Sequence, residues 1–105
     1  MADSPSETPV VDLLAGMTAD SITASTLDAK SLMMVRIAAL VAVDASPVSY
    51  LMNLEAADGV GLDPDQITGV LTAIAPIVGT ARIVSATSKI VEALEVELEV
   101  VEAQQ

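Results

Sequence analysis

Ser46, Ser49 and Asn53 stand three and four residues apart in "SPVSYLMN", so a helix through them sets two hydroxyls and an amide on neighbouring turns of one face. A serine at that position becomes a nucleophile only beside a base, because a free hydroxyl is inert near neutral pH. The chain has no histidine, which removes the ordinary neutral-pH base and the commonest transition-metal ligand. It has no cysteine, so thiol nucleophiles, disulfide exchange and thiolate metal sites are chemically impossible. Among the remaining groups, Arg36, Arg82, Tyr50 and Asn53 could hold a small carboxylate.

Each of these residues also has a plain structural reading. Ser46 precedes Pro47 and suits the N-cap of a helix that begins with proline. Ser49 and Asn53, one turn apart, could hydrogen-bond to each other or across a subunit contact, or line a remnant ligand pocket. Tyr50 is the only aromatic residue and reads as a buried ring with its hydroxyl satisfied. An arginine inside an apolar helix must reach solvent or a carboxylate, so Arg36 and Arg82 are expected in salt bridges, with an anion site where they meet as the second reading. "DPD" at Asp63–Asp65 contains carboxylates a divalent cation could use, but a helix cap accounts for them, and neither a metal nor a cofactor is expected.

The elements that must carry these residues are helical. Residues 1–8 are polar and acidic and are expected to be disordered; they form one segment, and 9–105 a single domain. The i, i+3, i+4, i+7 spacing of Val10, Leu13, Leu14 and Met17 predicts a short helix over about Pro9–Met17, followed by a loop or a single turn in "TADSITAST". "LDAKSLMMVRIAALVAV", Leu27–Val43, is apolar on nearly every face around one Arg and predicts a central helix. A third helix runs from Pro47 to about Asp58, before the turn at Gly59 and Gly61. In "LDPDQ", Asp63, Pro64 and Gln66 give the cap, first position and capping box of a fourth helix. That helix is predicted to reach about Ile74, with Pro76 and Gly79 forcing a kink or break. A last helix starts near Thr80; the alternation in "EVELEVVE" resembles a strand, but no other segment offers a strand partner. The fold class is all-α.

Length and charge set further limits. One hundred and five residues make one domain, yet 52% are apolar and mean hydropathy is +0.62, more than a lone small domain easily hides. Part of that surface is expected in a subunit interface. Fifteen acids against four bases, a net charge of −11, repel nucleic acid and anionic lipid alike. The uncharged run from Gln66 to Ala81 contains Pro76 and falls short of the roughly 20 residues a membrane span requires. "MADSPSETPVV" has no basic stretch of the signal-peptide kind, so a cytoplasmic location is expected.

"LDAKSLMMVRIAALVAV" together with "NLEAADGVGLDPDQITGVLTAIAPIVGTARIVSATSKIVEAL" resembles the carboxymuconolactone decarboxylase family, which includes the alkyl hydroperoxidase D proteins. The likeness lies in the order of helices and turns: Leu27–Lys30, Ala56–Gly61, Asp63–Leu71 and Pro76–Leu94. It implies a small helical bundle of the alkyl hydroperoxidase D type, interleaved in a homo-oligomer, typically a trimer or hexamer. The peroxidase branch carries Cys-x-x-Cys-x-x-x-His at the start of the third helix, with a glutamate about three turns upstream. Counted back from Gly61, the two cysteines fall on Ser46 and Ser49, the histidine on Asn53, and the glutamate near Met34. All four are replaced, so the resemblance implies a degenerate site, and thiol peroxidase chemistry is excluded by the absence of its atoms.

Three functions remain open on the sequence. The first is a non-redox, oligomeric binding or assembly protein of this family. The second is a decarboxylase or isomerase acting on a small carboxylate or lactone, held by Arg36 or Arg82 with Tyr50 or Asn53 as polar partners. The third is an accessory scaffold subunit tethered to a protein partner through residues 1–10.

Overall fold

The computed structural model describes residues 8–103, with side chains described as far as Glu95. Five helices follow one another: α1 (Pro9–Ala24), α2 (Ala29–Ala42), α3 (Pro47–Gly59), α4 (Pro64–Val78) and α5 (Thr80–Ala103). No strand occurs among the described residues, and the alternating stretch after Leu94 continues α5. The disorder expected for residues 1–8 lies, except for Thr8, outside the described residues. The side chains of Glu97, Glu99 and Glu102 also lie outside them.

Short-range chemistry sets the helix starts. Asp28 Oδ1 accepts the Ser31 amide at 2.7 Å and caps α2 two residues later than the periodicity alone predicts, since an N-cap carboxylate fixes the first orphan donors. Asp63 and Gln66 form the reciprocal capping box of α4, at 2.8 Å and 3.0 Å. Two helix ends share one device, a left-handed residue after which the chain folds back on its own last turn. Gly61 takes that conformation after α3, with φ +82, and Leu62 N–H returns to the Ala57 carbonyl at 3.0 Å. Asp44 takes it after α2, with φ 53, and Ala45 N–H returns to the Leu40 carbonyl at 3.0 Å.

Two boundaries differ from the sequence expectation. The helix predicted to end near Met17 continues to Ala24: the cap formers of "TADSITA" sit on its exposed surface, and Thr23 Oγ1 satisfies itself on the Ala19 carbonyl at 3.1 Å. Pro76 lies inside α4 without ending it; it stands in the last turn, and its nitrogen leaves one hydrogen bond of that turn unmade. Gly79 makes the break, with φ +88 and ψ 165.

The core lies among α2, α3, α4 and α5. Ile37 and Val41 of α2 are completely buried, and with Tyr50 and Leu54 of α3, Val70 of α4 and Ile90 of α5 they form one cluster. Each such side chain contributes roughly 1.5–3 kcal/mol on burial. α5 meets the cluster through Ala86 and Ala93, both buried, whose small side chains let two helix backbones approach. α2 is central in the expected sense, packing on α3, α4 and α5, although Val35 and Val43 leave one stripe in solvent. α1 stands outside: none of its residues is buried. Val10, Val11, Leu13, Leu14, Met17 and Ile22 are each between 51% and 66% exposed.

Candidate functional site

α3 carries the polar face that the sequence singles out. Ser46 is its N-cap, accepting the Ser49 amide at 3.4 Å, and the two hydroxyl oxygens lie 3.3 Å apart. One turn on, Asn53 Nδ2 donates to the Ser49 carbonyl at 2.8 Å. Asn53 therefore reaches the backbone of Ser49 and not its hydroxyl. Helix geometry brings the three together, as their spacing requires. The nearest acid in sequence, Asp44, is engaged elsewhere: its Oδ1 accepts from Ser85 Oγ at 2.7 Å and from Lys89 Nζ at 3.0 Å. Those hydrogen bonds, the Ser85 one first, hold its carboxyl below the ordinary value, which weakens it as a base. The serine pair thus has no described partner able to remove its proton, and nucleophilic catalysis gains nothing there.

Arg36 and Asn53 share a cleft. Leu14, Met17 and Thr18 of α1, Arg36 and Leu40 of α2, and Asn53 of α3 line a shallow space of about 350 Å³. Arg36 donates through Nη2 to the Thr18 carbonyl at 3.2 Å. The salt bridge expected of it is not formed among the described residues; one of its donors goes to a helix carbonyl instead. A guanidinium has five N–H donors, and the others bond to no described residue, which leaves donors for an anion. The cleft closes on one side with apolar α1 and on the other with the part-buried Asn53 amide.

The other candidates lie elsewhere. Tyr50 is buried as expected, 1% exposed, but its hydroxyl has no hydrogen-bond partner among the described residues, contrary to the expectation that it would be satisfied. Burial first, and the charge of Asp44 second, raise its pKa. Met34 is half-buried and packs against the core, an apolar contact with no chemistry. Arg82 is exposed, forms no ion pair among the described residues, and acts on Asp44 only through its charge. Arg36 and Arg82 do not meet: one lines the α1 cleft, the other lies near the Asp44 end of α2.

Sequence reasoning missed the contact of Asp44 with Lys89 and Ser85. The local signal was an acid directly after an apolar helix and before "ASP", where Asp tolerates the left-handed conformation; its partners, 41 and 45 residues away, carried no signal at all. Comparison with protein-family models, with curated proteins and with solved structures gives no match.

Proposed function

We propose that this chain is a carboxymuconolactone decarboxylase-like helical protein without the thiol site, acting in the cytoplasm as a homo-oligomeric binding or assembly protein. One observation carries the reading: α1 presents six large apolar side chains to solvent and buries none of them. A helix in a protein owes most of its stability to the packing of its apolar face, so a surface that covers α1 stabilises it. A standard interface buries about 1,600 Å² in total. The family resemblance adds a trimer or hexamer with interleaved helices.

Native mass spectrometry combined with sedimentation velocity tests this on the full chain. The expected result is a trimer or hexamer that falls to monomer in the Leu13→Lys, Met17→Lys double variant. A wild-type protein that remains monomeric at micromolar concentration overturns the reading.

A second reading is favoured by the shared cleft of Arg36 and Asn53. A small carboxylate there would meet a guanidinium with uncommitted donors and an amide, on an apolar floor. It would make the chain a binder of small carboxylates or lactones, or a decarboxylase or isomerase acting on them. Thermal shift with aromatic acids and lactones measures it: stabilisation that disappears in Arg36→Met supports the site, and equal stabilisation in that variant removes Arg36 from it.

A further inference from the structure

A second, differently built concavity lies on the opposite part of the bundle, away from α1. α3, α4 and α5 enclose a groove of about 240 Å³ that adjoins another of about 150 Å³. Leu54, Pro64, Ile67 and Leu94 line both, so the two spaces lie against the same four side chains. The larger is also walled by Leu71, Ile90 and Val91. The smaller reaches Asp58.

Beyond the hydroxyl of Thr68, the wall offers little to a polar ligand. Thr87 Oγ1 is already spent on the Ile83 carbonyl of its own helix at 2.9 Å. Among the described residues, no arginine or lysine lines either part. Asp58 is the one charged residue among those that do, and its carboxylate accepts no hydrogen bond and forms no ion pair among the described residues. It also sits in the field of a chain whose net charge is −11, which concentrates cations and repels anions. An apolar slot with a lone carboxylate at its end is complementary to a molecule with an alkyl body and a cationic head.

We propose that this groove binds cationic amphiphiles, the alkyl chain lying along Leu71, Ile67, Leu54 and Leu94 and the ammonium group at Asp58. The space is small for a drug-sized ligand and suits a single alkyl chain. α1 of a second copy is a poorer occupant: it carries Asp12 and Asp20 and no base, and would bring carboxylates toward Asp58. The proposal does not depend on the Arg36 cleft, with which it shares no lining residue.

Isothermal titration of the full chain with decyltrimethylammonium below its micellar concentration tests it, with decanoate as the matched anion. The ammonium compound is expected to bind at least tenfold more tightly than decanoate, and to weaken roughly fourfold for each methylene removed. Asp58→Asn is expected to lose most of the preference for the cation. Asp20→Asn, on α1, removes the same charge from the chain and is expected to leave it unchanged. Thr68→Trp places a reporter at the groove of a protein that has no other tryptophan, and its emission is expected to shift to the blue on binding. Equal affinity for decanoate, equal losses in Asp58→Asn and Asp20→Asn, or an indole emission that does not respond in a Thr68→Trp variant that still binds would each overturn the proposal.

Discussion

The carboxylate of Asp44, in a left-handed turn at the end of α2, lies 3.0 Å from the ammonium group of Lys89 in the middle of α5. Lys89 Nζ also approaches the Asp44 backbone carbonyl at 3.5 Å, and Ser85 donates to the same carboxylate oxygen at 2.7 Å. The three contacts join an irregular helix end to the helix that completes the core. They also turn the acid nearest Ser46 away from acid–base work, so a structural contact and the absence of a general base have one origin.

Acid should therefore weaken this junction. The Ser85 and Lys89 hydrogen bonds depress the Asp44 pKa, and the Ser31 hydrogen bonds depress that of Asp28. Because the folded values lie below the unfolded value of about 3.9, the stability they contribute is present above about pH 4 and lost as pH falls through the folded values. Asp44→Asn retains an acceptor and the tolerance for φ 53 but cannot titrate. Melting temperatures between about pH 6 and about pH 2.5 should fall less in this variant than in the wild type; equal slopes would remove Asp44 from the acid response.

Tyr50 should respond at the opposite end of the pH scale. Its folded pKa is raised above an unfolded value of about 10, so its stability contribution is complete below about pH 10 and disappears as pH rises through the folded value. Spectrophotometric titration of the phenol should give a midpoint above that of the urea-unfolded chain. Since the hydroxyl is buried without a described partner, Tyr50→Phe should leave stability unchanged or raise it by about 1 kcal/mol. Tyr50→Ala, which empties the ring's place in the core, should cost about 3–5 kcal/mol. A Phe variant less stable than the parent by more than the error of urea melts would mean that the hydroxyl has a partner in solution.

The two left-handed glycines should differ in sensitivity. At Gly61 an added Cβ meets only Lys30, its Cε at 3.6 Å, an ordinary contact, so Gly61→Ala should cost the backbone term alone, about 1–2 kcal/mol. Gly79, at φ +88 and ψ 165, occupies a region essentially restricted to glycine, where strain is about 1–3 kcal/mol. Gly79→Ala should therefore be the more destabilising, seen as a lower urea midpoint at unchanged slope. The reverse order would contradict the conformation of the α4–α5 junction.

Installing sulfur and imidazole tests the proposed family register. The hydroxyls of Ser46 and Ser49 are 3.3 Å apart and Asn53 lies on the next turn, so the Ser46→Cys, Ser49→Cys, Asn53→His variant places two thiols and an imidazole on one face of α3. It should reduce peroxide with a thiol reductant while the parent does not. A folded but inactive variant would mean that the proposed register is wrong or that the glutamate which the resemblance places near Met34 is indispensable.

Most of the helix plan was legible because caps are local. Asp63, Pro64 and Gln66 specify the start of α4 within four residues, and Ser46 with Pro47 does the same for α3, so the sequence alone carries their placement. Pro76 shifted the expected end of α4 by one turn: a proline in a last turn leaves one hydrogen bond unmade, and the helix closes only at Gly79. The candidate site was half legible. The spacing of Ser46, Ser49 and Asn53 dictated their common face, whereas the cleft shared by Arg36 and Asn53 depends on how α1 lies against α2.

By composition alone, the chain determined that no electron-carrying sulfur and no imidazole base exist here, since no fold can supply atoms the sequence lacks. Periodicity and caps determined that it is helical, because those interactions are completed within one or two turns. Tertiary structure alone decided that Asp44 pairs with Lys89, that the Tyr50 hydroxyl is sealed in the core, and that α1 keeps its apolar side chains outside. These outcomes depend on contacts between residues far apart in the chain, whose energies arise only once the helices have packed.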